Sequence, residues 1–306
     1  MKTRHKNKNE NVNNAVREEL LDRARRYGIR YIDLKLDFAF KCVFGTEGHE
    51  DLLLMLIDSI LPDKHIVSVK LGSQEEQGDR PDSRRSIYDI HCTTESGTHV
   101  TVEMQCNAKS DFNNRMVYYS GYTLRNSITR GDEGFDFPEI YVIGILDFLL
   151  PGVRENSEVV NHYSLRNDRD DGITLTDTLH YVTIELPKFR KKLSELESTL
   201  DRLLYLFRYL GTMEEIPNEL IGKNLEGIFE LTKFANMTQE LQDRYFREFM
   251  YEMDQKSALR TARNSGIAEG EAIGEARVIK AMKAKGLDTA LISEITGLGI
   301  EQIEKL

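Results

Sequence analysis

The chain has 306 residues, enough to bury a substantial core as one large domain with an appendage or as two domains. Its 41 Lys+Arg against 51 Asp+Glu give a formal charge of -10, which excludes a surface generally coated for nucleic acid, although residues 1–30, with nine Lys/Arg and four Asp/Glu, leave room for a local basic groove. No apolar signal core and no membrane-spanning run is present, and Cys42, Cys92 and Cys106 form no CxxC pair, so the expectation is a cytoplasmic chain without membrane contact, disulfide framework or structural zinc.

Residues 1–15 are rich in Lys and Asn and have little to bury, which predicts a disordered basic arm. A short helix is expected from Ala15 to Tyr27, its Arg23, Arg25 and Arg26 on a solvated face. Leu36 to Phe44 places Phe40, Val43 and Phe44 at helical spacing, and Gly45 stops it. Asp37 and Lys41 stand four apart on this helix, the spacing of a surface ion pair. A second helix is predicted from Glu50 to Leu61, ended by Pro62, and a strand from Ile66 to Leu71 leads into a charged loop, Ser73 to Arg85. The Pro81-Asp82 pair in that loop is explained by turn chemistry.

Ser86 to Cys106 reads as two alternating, β-branched runs joined by Glu95-Ser96-Gly97, the composition of a hairpin. A two-residue loop would set polar against apolar side chains on every rung. A three-residue loop with Gly97 in the left-handed position sorts them. Tyr88/Met104, Ile90/Val102 and Cys92/Val100 then share one face, and Ile87/Gln105, Asp89/Glu103 and His91/Thr101 the other. Two carboxylates placed directly opposite, with β-carbons about 5 Å apart, repel unless they share a proton or a cation. A hard divalent ion such as magnesium, which takes carboxylate oxygens and keeps several waters, satisfies both. Gln105 lies on the same face, two residues beyond Glu103. Asp89, on the strand, is therefore a better ligand than Asp82.

Asp111 to Ile128 is expected as a helix with Phe112, Met116, Tyr119 and Leu124 inward, from which Arg115, Lys109 and Arg125 could approach a phosphate. Arg115 suits that task by its planar fork, and pairing with an acidic neighbour is the alternative. Gly131 to Pro138 reads as a loop, Ile140 to Leu146 as a buried central strand, Gly152 to Thr178 (with Asp168, Asp170 and Asp171) as a solvated loop, and His180 to Leu186 as a strand closed by Pro187. Helices follow at Leu193 to Leu210, Asn224 to Ala235 and Thr238 to Arg263, the last entered by an N-cap Thr. Gly266, Gly270 and Gly274 form a four-residue repeat that allows close approach of another helix in a segment too charged for a membrane. Leu287 to Leu306 reads helix, turn at Gly297 to Gly299, helix, superficially a helix-turn-helix, but Glu301 and Glu304 against Lys305 favour a packing role for its last helix over the alternative of DNA reading.

The set Asp37-Phe38-Ala39-Phe40-Lys41-Cys42-Val43-Phe44-Gly45, Ile87-Tyr88-Asp89-Ile90, Glu103-Met104-Gln105 and Arg115 with Tyr118-Tyr119 resembles the PD-(D/E)xK nuclease family transposases, or recombination-promoting nucleases. The likeness is close over about residues 31–190 and looser in the glycine-spaced tail. It implies an α/β, restriction-endonuclease-like core, a mixed central sheet flanked by helices, followed by an α-helical C-terminal region. It also implies Mg2+- or Mn2+-dependent cleavage of DNA, with Asp89 and Glu103 as metal ligands and Gln105 where the superfamily has its catalytic Lys. Tyr88 replaces the Pro of the motif name. Asp37 would be the acidic residue that superfamily members often contribute from their first helix, or else the surface ion pair already described. Lys109, the nearest downstream Lys, is the candidate for the charge that Gln105 lacks. The expected organisation is an N-terminal arm and helix (1–30), a nuclease-like domain (31–190), a helical region (191–264) and a Gly-repeat tail (265–306), with a homo-oligomer formed through the C-terminal helices. The alternative is a catalytically weak nuclease-fold protein acting by DNA or protein binding and self-association.

Overall fold

The hairpin adopts the register in which its rungs sort by polarity. In the computed structural model, which describes residues 16–72, 75–76, 86–87, 89–109, 111–127, 134, 136–151, 158–170 and 172–306, Ile90 pairs with Val102, His91 with Thr101 and Cys92 with Val100. Thr94 N donates to Thr98 O at 2.9 Å and Gly97 N to Thr94 O at 3.0 Å, with Gly97 at φ +85°. That left-handed backbone is open to glycine without strain. The 1–15 arm, Pro81-Asp82, Tyr88 and Asp171 lie outside the described residues.

Helix α1 covers residues 16–26, α2 Asp37–Phe44 and α3 Glu50–Ile60. Strands β1 (Val69–Leu71), β2 (Glu75–Glu76), β3 (Ser86–Ile87), β4 (Ile90–Thr94) and β5 (His99–Gln105) precede α4 (Phe112–Asn126). Then come β6 (Ile140–Leu146), β7 (Val160–Arg166) and β8 (Thr174–Glu185), followed by α5 (Thr199–Tyr209), α6 (Glu226–Thr232), α7 (Gln239–Ala284), α8 (Thr289–Thr296) and α9 (Ile300–Lys305). Among the described residues a six-stranded mixed sheet runs in the order β1-β4-β5-β6-β8-β7, and β2 pairs with β3 apart from it. Strands β5, β6 and β8 are parallel, so α4 serves as the crossover from β5 to β6.

Period-2 alternation divides the sheet between two cores. Ile90, Cys92, Val100, Val102, Met104, Tyr141, Ile143, Ile145, Val182 and Ile184 pack with α2, α3 and α5 on one face. On the other face Phe112 and Met116 of α4 cover Ile140, Val142 and Leu146. The α4 face of the hairpin carries no apolar row: its buried residues are Asp89, His91, Thr101, Glu103 and Gln105. A buried polar stripe therefore runs along this face of the hairpin.

Several boundaries differ from expectation. The first strand of the hairpin, expected from Ser86, begins at Ile90; Ser86 and Ile87 pair with Glu76 and Glu75 instead, so the expected Ile87/Gln105 rung is not part of the ladder. The stretch read as a solvated loop contains β7 and the start of β8, which form an antiparallel pair interrupted by a register shift near Leu165. The strand expected from His180 therefore begins at Thr174. Helix α5 starts at Thr199, not Leu193, because Ser198 and Asp201 form a capping box there, while Leu193–Glu195 is a single 3-10 turn. Helix α7 runs through Arg263 and the glycine repeat to Ala284 without a break. The chain divides into two compact units, up to Phe246 and from Arg247. In the second, Ile279, Ile292 and Ile303 form a small buried cluster. No helix among the described residues is long and apolar enough to cross a membrane.

Candidate active site

Asp89 directly precedes β4, and Glu103 and Gln105 lie near the end of β5, so the register sets the two acids side by side. They are latched through the backbone: Asp89 N donates to Glu103 Oε1 at 3.2 Å, and Met104 N donates to Asp89 Oδ2 at 2.8 Å. The Glu103 side chain is fully buried and that of Asp89 is 12% exposed.

Burial is the main reason that both carboxyls hold protons more tightly than usual. Asp89 is pushed up to about 7, by desolvation first and then by the Asp37 charge, against the pull of Lys41. Glu103 is pushed up to about 8, by desolvation and then by Asp89, against the pull of Arg115. Loss of solvation disfavours two adjacent anions, so a proton or a positive charge beside them is favoured.

Two basic side chains flank the pair. Lys41, from α2, places its ammonium 3.3 Å from Asp89 Oδ1, 2.8 Å from Asp37 Oδ1 and 3.0 Å from Asp37 Oδ2. The Oδ2 contact has hydrogen-bond geometry, and the buried Asp37 Oδ1 has the same ammonium as its ion-pair partner. Burial lowers the Lys41 pKa, but Asp89 and then Asp37 more than offset it and hold the ammonium above the ordinary lysine range. From α4, Arg115 donates to Glu103 Oε2 at 3.4 Å, to Gln105 Oε1 at 3.3 Å and to the Tyr119 hydroxyl at 2.7 Å. Thus Arg115 meets the acidic neighbour that its sequence position left open, and orients Gln105 as well.

The structure brings Asp37, Asp89, Glu103, Gln105 and Arg115 together. Lys109 stands apart, exposed in the turn before α4 with its carbonyl accepting from Phe112 N. Sequence spacing had paired Lys41 with Asp37 alone and had not joined it to Asp89. The available signal was that Lys41 sits among Phe40, Val43 and Phe44 on a helix largely buried in the core. Gly144 was also missed. It pairs with Glu103 across β5 and β6, and a Cβ there would fall 2.6 Å from Phe112 Cζ. A glycine inside an apolar strand run marks such a close approach.

Further along the stripe, burial and the neighbouring His99 push the His91 pKa down to about 4, so this imidazole is neutral, 3.1 Å from Thr101 Oγ1. A cleft of about 850 Å3, lined by Lys64, Tyr141, His162, Arg166 and His180 among others, shares no residue with the carboxylate pair.

No group of three or more His, Cys, Asp or Glu among the described residues is arranged to hold a metal ion. The donor set is the Asp89–Glu103 pair. Two hard oxygen donors, each destabilised as an anion by burial, fit a cation that completes its shell with water. Arg115 and Lys41 are the counter-charges of the pair without one.

A family model described as PD-(D/E)XK nuclease family transposase matches residues 34–262. No curated protein and no solved structure matches the chain.

Proposed function

Because the chain belongs to the PD-(D/E)XK nuclease family transposases, we propose that it is a divalent-metal-dependent DNA endonuclease with a restriction-endonuclease-like core. The observation that carries this reading is the latched, buried Asp89–Glu103 pair. Asp89 and Glu103 would hold Mg2+ or Mn2+, which supplies an acidified water and charge stabilisation at phosphate. Gln105, its Oε1 engaged by Arg115, keeps an amide N–H2 group with which to orient a water. Arg115 presents a planar guanidinium beside this pair, matched to a phosphate of the substrate. Lys109, in the exposed turn, is a further phosphate contact along the strand. Asp37 anchors Lys41 beside Asp89.

Nicking of supercoiled plasmid by the purified chain with Mg2+, Mn2+ or EDTA, alongside Asp89→Ala and Glu103→Ala, tests the reading. Metal-dependent nicking is expected, with both variants folded and slowed at least about a hundredfold. Equal inactivity of all three proteins across metals and DNA forms would sink it. A second reading, a nuclease-fold protein that binds DNA or protein and self-associates, is favoured by Gln105, which brings no positive charge to the position of the superfamily Lys. Retention of DNA by that inactive wild type would support it.

A further inference from the structure

We propose that Lys41, reaching from α2 rather than from the strand that carries Glu103, is the cation that stabilises the attacking water and the phosphate, and that in the metal-free chain it serves as the counter-ion of Asp89. This rests on the nuclease reading above. The hydrolytic step needs a positive charge near the nucleophile that Gln105, a neutral amide, cannot provide. Among the described residues two cations stand at the carboxylate pair, and their contacts separate their roles. Arg115 is held by Glu103, Gln105 and Tyr119. Among the described residues Lys41 is held by Asp37 and Asp89, with one hydrogen bond of good geometry to Asp37. An ammonium has three donors. If Asp89 turns its charge to a metal ion, Lys41 keeps Asp37 as its anchor and has donors free for a water or a phosphate oxygen. Asp37, both of whose carboxylate oxygens meet the Lys41 ammonium, at 2.8 and 3.0 Å, is then a positioning residue.

In the reaction the oxygen of water bonds to phosphorus and the P–O ester bond breaks, leaving a phosphate monoester on one strand end and a hydroxyl on the other. The attacking water loses its proton to solvent, and the leaving oxygen gains one from solvent. Lys41 stays protonated throughout and contributes charge and hydrogen bonds, not a proton.

The test measures two quantities on the full-length chain: Mn2+ affinity by titration calorimetry without DNA, and the rate of plasmid nicking. Lys41→Met keeps the aliphatic stem and removes the charge. It is expected to bind Mn2+ as tightly as wild type or up to about tenfold tighter, because Asp89 has lost a competing cation. Its nicking is expected to fall about a hundredfold or more, with partial recovery in Lys41→Arg. Asp37→Asn is expected to lie between wild type and Lys41→Met in rate. Glu103→Ala serves as the control that loses Mn2+ affinity. A wild type that cuts alongside an equally active Lys41→Met overturns the proposal alone. So does a Lys41→Met that loses Mn2+ as Glu103→Ala does, which would make Lys41 a structural support. A wild type that cuts nothing overturns the nuclease reading and, with it, the catalytic role of Lys41.

Discussion

Glu103 and Asp89 show how two adjacent buried carboxyls oppose stability. Both carboxyls hold their protons more tightly in the folded chain than in the unfolded one, Asp89 to about 7 and Glu103 to about 8. A folded-state pKa raised in this way means that the native state binds more protons between the unfolded and folded values, so stability falls as pH rises through that window. Thermal midpoints of the metal-free chain should therefore drop between about pH 5.5 and about pH 8.5, with Mn2+ restoring more at the higher pH. Glu103→Gln, which cannot ionise, should melt above wild type at about pH 8.5 and close to it at about pH 5.5, while losing nicking activity. Scanning calorimetry at the two pH values checks both statements, and a variant that melts below wild type at the higher pH would contradict them. The pairing itself was legible in the sequence, because Gly97 and the alternation of Ile90, Cys92, Val100 and Val102 admit one sensible register. Lys41 was not. Helical spacing shows that Asp37 and Lys41 share a face, but it does not show which strand that face meets.

The same distinction holds for whole elements. The buried run Ile140–Leu146 announced β6, but β7 has a buried Asn161 with exposed Tyr163 and Leu165, so it lacks the apolar alternation that identifies a strand. Its edge position accounts for that, since one flank pairs with β8 and most of its side chains reach solvent. Gly144 reveals how elements set the site. Phe112, the first residue of α4, lies against it and is packed with Met116, Ile140, Val142 and Leu146. In Gly144→Ala the new methyl would meet Phe112 at 2.6 and 2.9 Å, and a fully buried ring has little room to yield. Overpacking of this kind costs about 1–3 kcal/mol. The start of α4 must shift, and Arg115 is less than one turn further along. Gly144→Ala should therefore lose nicking activity beyond what its stability explains, even at temperatures where it is fully folded. Chemical denaturation alongside nicking rates tests this. Activity that merely tracks the folded fraction would show that α4 absorbs the methyl without moving Arg115.

At the scale of the whole molecule, the family match ends at residue 262, whereas α7 continues to Ala284. Residues 253–275 of that helix are exposed on every side, and a Cβ added at Gly266, Gly270 or Gly274 would meet nothing within 4 Å. A helix that buries no face has only its own propensity and its side-chain pairs to hold it. Each interior glycine costs roughly 0.8–1 kcal/mol against alanine. Simultaneous Gly266→Ala, Gly270→Ala and Gly274→Ala should thus raise the helicity of the tail and preserve its far-UV ellipticity to higher temperature. Nicking should be unchanged, because Asp37, Lys41, Asp89, Glu103 and Arg115 all belong to the unit that ends at Phe246. The opposite result has a definite meaning. If the alanines lower the molecular mass measured by light scattering, or the ellipticity at a fixed concentration, the glycine face is covered in solution by a second copy that methyl groups push away. The glycines would then favour association at the expense of the isolated helix, and the tail would be an oligomerisation element in a unit separate from the one that carries Asp89 and Glu103.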